Sequence, residues 1–282
     1  MLNLSQKNIE SKKGEIAMSE AYQVISFVEN QNMKIEVLEY QKLGGNDNFS
    51  VAEKLFFAQK SNIKLRQVRI TLKNSSLTAE SGALQFMKGN ISLKSLGGTS
   101  AKGFLKGIAS SVLANESMIK PQYHGSGIIY LEPSFKHFMI VELNNEEIIA
   151  DKGLFYCCES TVSTSVQAMK NISSAIAGGE GLFQTKVSGN GYCVFEIPVP
   201  EDELVEFELQ NEMVQVDGNF TLFRVGNIDF TVEKSSKSIF GSVASGEGLL
   251  QTFRGTGKVF IAPTLPVYEK LGYILNQVPS SK

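Results

Sequence analysis

Two histidines, three cysteines and a recurring set of acids are the residues of this 282-residue chain that could do chemistry. A metal site of the β-barrel kind takes two or three His with a carboxylate. His124 and His137 have no such ligand spacing around them and read as surface or turn residues. A Ser-His-Asp or Cys-His site would need one of the same two histidines. The stretch "YHGSG" (123–127) lacks the first glycine of a nucleophile elbow. Cys157, Cys158 and Cys193 form no C-x-x-C and lie in the apolar runs "LFYCCES" and "GYCVFE", so they are expected as reduced core thiols. The glycine-rich stretches "GGEGLF" (178–183) and "SGEGLL" (245–250) lack phosphate-loop spacing and precede strand-like segments. "SLGGTSAKGFLKG" (95–107) has lysines and precedes a helical pattern, which makes it a weak anion-site candidate, and an ordinary loop is the better reading. No catalytic residue, metal or cofactor is expected.

The acids lead to the organisation of the chain. Leu72-x-Asn74-x-x-Leu77-x-Ala79-Glu80 returns as Leu143-x-Asn145-x-x-Ile148-x-Ala150-Asp151 and as Leu209-x-Asn211-x-x-Val214-x-Val216-Asp217. A glycine follows each time, at Gly82, Gly153 and Gly218. A second phrase places Glu116, Glu180 and Glu247 before Gly125-x-Gly127, Gly189-x-Gly191 and Gly255-x-Gly257, with Pro133, Pro198 and Pro263 behind. Two phrases in one order, three times over, define a unit of about 65 to 70 residues. Either set of acids, brought to a common axis, would make a carboxylate ring able to hold a cation; alternatively each acid bonds the amides of its own turn.

Each unit reads as strands. "VRITL", "FMIVEL" and "VEFEL" run apolar or alternate, as do "ALQFM", "LFYCC" and "FTLFR". The L-x-N segment predicts a turn, because Asn tolerates the left-handed region, and the apolar residues after it predict the return arm of a hairpin. The G-x-G triplets predict a second hairpin turn. Between these, "KGFLKGIASSVLANES", "VQAMKNISSAIAGGEG" and "KSIFGSVASGEG" space apolar residues by three and four and predict one short helix per unit. The expected fold is all-β: one domain over residues 33–272, made of repeats at about 33–133, 134–200 and 201–272. A loosely ordered segment (1–32) precedes it and a short tail (273–282) follows, and 39–54 and 94–103 read as loops or insertions.

Composition excludes more than it assigns. Net charge is -2, and Arg stands only at Arg66, Arg69, Arg224 and Arg254, which argues against nucleic acid. No run reaches the roughly 18 apolar residues of a spanning helix. The first residues, "MLNLSQKNIESKKGEIAMSE", have no apolar signal core, so a cytoplasmic place is expected.

The repeats "AESGALQFMKGNI" (79–91), "GGEGLFQTKVSGNGYCVFEIP" (178–198) and "SGEGLLQTFRGTGKVFIAPTLP" (245–266) resemble the AIM24 family of bacteria and fungal mitochondria, over about residues 33–270. The resemblance implies a fold related to the tryptophan RNA-binding attenuation protein, with the three units packed about a pseudo-threefold axis. It implies no settled activity for bacterial members, and a link to inner-membrane organisation for mitochondrial ones. The expected function is therefore that of a non-enzymatic binding or scaffold protein. It would present a β-surface to a protein partner or to itself, with peripheral membrane contact left open. The alternative is a small-ligand-binding or enzymatic module with a pocket between repeats.

Overall fold

A computed structural model of the chain describes residues 21–45, 47–94, 120–168, 183–234 and 249–276. Among the described residues there are twelve strands: β1 (Tyr22–Glu29), β2 (Met33–Tyr40), β3 (Arg66–Ala79), β4 (Leu84–Lys94), β5 (Gln122–Leu131), β6 (His137–Ala150), β7 (Phe155–Glu159), β8 (Val162–Ala168), β9 (Phe183–Ile197), β10 (Val205–Asp217), β11 (Thr221–Lys234) and β12 (Leu249–Ile261). Two α-helices accompany them, α1 (Phe49–Lys60) and α2 (Leu265–Asn276). The fold is thus mainly β, with antiparallel ladders wherever the register is defined. Neither helix is long and apolar enough to cross a membrane.

Contacts divide the chain into two compact units. The first holds the described residues up to Glu142, with Tyr156–Val162 and Gly191–Glu196. The second holds Leu143–Phe155, the described part of Ser163–Asn190, and the described residues from Ile197 onward. β6 and β9 therefore each give one half to each unit. In the first unit β2 lies between β1 and β3, and β5 lies between β3 and β4. Its core is aliphatic, built from Ile35, Val37, Val68, Ile70, Leu72, Leu77, Ile129 and Leu131 with Tyr156 and Cys157. In the second unit β12 lies between β10 and β11, and Leu209, Val216, Ile228, Phe253 and Val259 form a smaller cluster.

The two predicted turns are not turns. β3, β6 and β10 each run straight through their asparagine, and Asn74, Asn145 and Asn211 stand at φ 50, 58 and 59. Register slips there: Leu72 faces Gly127 while Ser75 faces Gly125, and Gln210 faces Thr256 while Glu212 faces Gly255. This is a bulge inside one long strand, which sharpens its twist without reversing it. The positive φ that suggested a hairpin is what the bulge needs.

The G-x-G triplets are likewise continuous strand, inside β5, β9 and β12. In β5 and β12 their glycines answer a close approach of backbones, and in β9 a Cβ on Gly191 would meet the Glu159 and Thr161 side chains. A Cβ on Gly127 would stand 2.2 Å from the Lys88 carbonyl oxygen, and one on Gly257 would stand 2.1 Å from that of Val225. Bulge and triplet then meet. The Asn74 N–H donates to Ser126 Oγ (2.9 Å), the Asn145 N–H to Asn190 Oδ1 (2.9 Å) and the Asn211 N–H to Thr256 Oγ1 (3.1 Å). The middle residue of each triplet is the acceptor for the amide its bulge takes out of the ladder.

The helices also differ from expectation. The three predicted helical stretches fall largely outside the described residues; the first three residues of the second, 166–168, end strand β8. α1 occupies part of the 39–54 stretch that reads as a loop. Asn48 caps it, accepting from the Ser50 N–H (2.9 Å), a start signal that the preceding glycines obscure. α2 begins after Pro263 and is tied down by the carboxylate of Glu203, which accepts from Thr264 Oγ1 and from the Tyr268 hydroxyl (2.9 Å). β1 begins at Tyr22, inside the segment expected to be loose. The ion pair of Arg69 with buried Glu36 (2.8 Å), and the bond from Arg69 to the Tyr22 hydroxyl (3.0 Å), fix the β1–β2 hairpin to β3. Burial alone would push Glu36 up, but the bonds from Arg69 and Lys34 carry it below the usual carboxylate range.

These crossings make a differential prediction. Gly257→Val, which drives carbon into a backbone oxygen, is expected to cost about 3 kcal/mol or more. Gly153→Ala, at φ 77 with nothing within 4 Å, is expected to cost only about 1 kcal/mol of backbone strain. Urea midpoints measure both, and equal losses would refute the close-approach account.

Candidate functional site

The residues that could react are held quiet. Cys157, Cys158 and Cys193 are all buried and free. Burial raises all three thiols, Cys158 to about 12, so none is a thiolate near neutrality. His124 is exposed on β5, where its Nδ1 lies 2.8 Å from Ser76 Oγ, a cross-strand pair on the solvent side of the β3–β5 ladder. No carboxylate bonds its other nitrogen among the described residues, so the pair lacks the group that would orient the imidazole as a base. His137 opens β6 and is not beside His124 in any ladder. Among the described residues no three of His, Cys, Asp and Glu group as a metal site would.

The recurring acids have three different fates. Glu80 takes the Ser81 N–H (3.1 Å) and an ion pair from Lys120 (2.5 Å). Asp151 is half-buried and accepts from the Lys152 backbone and the Gln184 side chain. Asp217 is exposed at the end of β10. Gly82, Gly153 and Gly218 all stand at positive φ in the turns beside these acids. Glu116, Glu180 and Glu247, and the lysine-bearing loop 95–107, lie outside the described residues.

Around Asp151 the second unit assembles a buried polar group that sequence spacing does not announce. Arg224 on β11 lies beside Ile149 of β6 in the ladder, and its side chain is 93% buried by the 7% that remains exposed. Among the described residues its Nε and Nη1 have no hydrogen-bond partner, and neither has Gln184 Oε1. The guanidinium sits 5.4 Å from the Phe230 ring centroid. Burial pulls it down to about 10, against the opposing charges of Asp151, Glu147 and Asp229. Burial likewise raises Asp151, and its bonds and Arg224 only partly offset that. A buried cation with unpartnered donors next to a carboxyl and an amide is equipped to hold a small molecule bearing acceptor oxygens.

A second feature emerges from comparing equivalent strands. Counted from their asparagines, Ile70, Val141 and Phe207 occupy one position, and they are 0%, 4% and 38% exposed. Cys157, Phe223 and Phe86, counted from their acids, are 0%, 3% and 50% exposed. Among the described residues β10 pairs on one side only, with β12, and β4 on one side only, with β5. Two strands thus carry core-type residues along unpaired edges. The signal was present in the sequence as apolar residues at repeat-equivalent positions, but equivalence alone predicts burial in all three.

The sequence model of a family described as mitochondrial biogenesis AIM24 matches residues 57–264. An uncharacterized protein of Streptococcus pyogenes serotype M6 is 24% identical over 251 residues, covering 86% of this chain and 99% of its own. The crystal structure of another Streptococcus pyogenes protein, a structural-genomics target, superposes with a TM-score of 0.52 at 19% identity. That similarity covers 83% of this chain and 99% of the other, and it supports the fold alone.

Asp151 gives a signed pH dependence. A carboxyl whose pKa is raised on folding contributes stability that is complete below its unfolded pKa and lost as pH rises through its folded one. Asp151→Asn is therefore expected to gain stability relative to the parent as pH rises from about 3 to about 7. Urea midpoints at both pH values measure it, and a gain that stays constant or shrinks would show that folding does not raise the Asp151 carboxyl.

Proposed function

The chain belongs to the AIM24 family, and on that premise we propose that it works as a non-enzymatic binding protein that presents β-edges to a protein partner. One observation carries this reading: Phe207, on an unpaired edge, is over a third exposed where both sister residues are buried. An apolar row beside unpaired backbone donors and acceptors is a template for strand addition. The three-unit architecture, with its pseudo-threefold arrangement and likeness to the attenuation protein, belongs to the same proposal. It is supported by the three asparagines at positive φ and their three acceptors. So does a cytoplasmic place, supported by three buried, reduced thiols. Peripheral membrane contact has less behind it. α1 exposes Phe49, Phe56 and Phe57 but carries only Lys54 and Lys60 against Glu53, not the basic face of an interfacial helix.

The test compares two sister positions. Ile70→Ser is expected to cost about 3 to 5 kcal/mol, as a polar replacement in a packed core does. Phe207→Ser is expected to cost less than about half of that and to reduce native-state binding of an apolar dye. Equal costs with unchanged dye binding would mean that Phe207 is ordinary core, and the reading would fall.

Arg224 favours a second reading, a small-ligand site between the second and third repeats. Its donors suit a small carboxylate or phosphate. Thermal shift with acetate, succinate and inorganic phosphate tests it: a saturable rise in the parent that is absent in Arg224→Gln supports the site. Parallel, non-saturating curves for both proteins would eliminate it.

A further inference from the structure

The polar atoms around Arg224 leave a definite deficit. Among the described residues, Arg224 Nε and Nη1 are donors without an acceptor, and Gln184 Oε1 is an acceptor without a donor. Both side chains are buried, one on β11 and the other on β9. Asp151, just past the end of β6, belongs to the same group: Gln184 bonds its carboxyl, and its charge opposes that of Arg224. Acceptor oxygens would answer the guanidinium, and a single hydrogen would answer the amide. A proton on Asp151 supplies that hydrogen, because a protonated carboxyl donates and the Gln184 amide, turned over, presents Oε1 to it.

Charge narrows the ligand further. Asp151, Glu147 of β6 and Asp229 of β11 all bear on Arg224. Lys186 of β9 pairs with Glu147 (2.5 Å), and Lys152 adjoins Asp151. A dianion would set a second negative charge against acids already in place. A monoanion that arrives with a proton leaves the charge of the group unchanged. The surroundings are apolar on one side: the Phe230 ring lies by the guanidinium and packs on Phe253 (5.0 Å between centroids), in a cluster with Ile228 and Val259.

We propose that Arg224 holds a small monocarboxylate with an apolar body, and that Asp151 takes up a proton from solvent as the ligand binds. The inference rests on reading Arg224 as a small-ligand site, and it names the ligand class and its dependence on pH. Burial already favours the acid form of Asp151, and the bonds from the Lys152 backbone and Gln184, with the Arg224 charge, only partly oppose it.

Titration calorimetry of the full chain with butyrate tests it, run in two buffers of different ionisation enthalpy. The parent is expected to bind saturably and to take up about one proton per ligand, with affinity falling about tenfold per pH unit from about pH 6 to about pH 8. Asp151→Asn is expected to bind without proton uptake and with a flat pH profile. Arg224→Gln is expected not to bind. Saturable binding by the parent without proton uptake overturns the proposal, and so does a pH slope that survives in Asp151→Asn. Tighter binding of phosphate or succinate than of butyrate overturns it as well. In these three cases the small-ligand reading still stands, provided that Arg224→Gln abolishes the binding. If none of the three anions binds the parent saturably, both fail.

Discussion

An asparagine amide taken out of its ladder and returned to a side chain is the interaction on which the rest of this structure depends. A bulge leaves one backbone N–H without its cross-strand carbonyl, and a partly covered sheet does not leave that to chance. Ser126, Asn190 and Thr256 each supply an acceptor from the middle of a G-x-G triplet, and Asn190 also donates back to Asn145 Oδ1 (2.6 Å). The flanking glycines are part of the same device. A bulged strand twists toward its neighbours, and only residues without Cβ let backbones come within van der Waals distance at that crossing. Bulge, acceptor and glycines therefore stand or fall together, which explains why the two sequence phrases travel in one order through the chain.

The device sets where edges end up. Past Asn74 and Asn145 the strand turns its outer side toward a new partner, β7 beside β3 and β11 beside β6. The apolar residues on β10 and β4 are of the type that fills a core, and their exposure follows from position in the repeat order rather than from residue type.

Chemistry has little foothold in what surrounds this frame. The thiols are pushed up by burial, His124 has a serine beside it but no acid among the described residues, and Glu80, Asp151 and Asp217 diverge into an ion-paired, a half-buried and an exposed case. Arg224 is the exception. Its sisters are Cys158 and Met87, so it is a substitution of a cation into a core position of the repeat, and the polar atoms around it are only partly matched. Burying a guanidinium this way opposes stability unless something answers its donors, and that sets it apart from the aliphatic core of the first unit.

Much of this was legible in the residues alone, and the division has a physical cause. Period-two alternation and the thrice-recurring phrases determine the strands, their approximate bounds and the special backbone at Asn74, Asn145 and Asn211, because φ preference and side-chain periodicity are local properties. The same local properties misled where two structures share them. Positive φ serves a hairpin and a bulge alike, and Gly-x-Gly serves a turn and a crossing alike, so continuous strands read as hairpins. The buried group around Arg224, the meeting of Asn211 with Thr256, and the exposure of Phe207 were decided only by tertiary structure. Each depends on which strand lies next to which, and pairing joins residues far apart in the chain through backbone bonds that carry no mark of residue type.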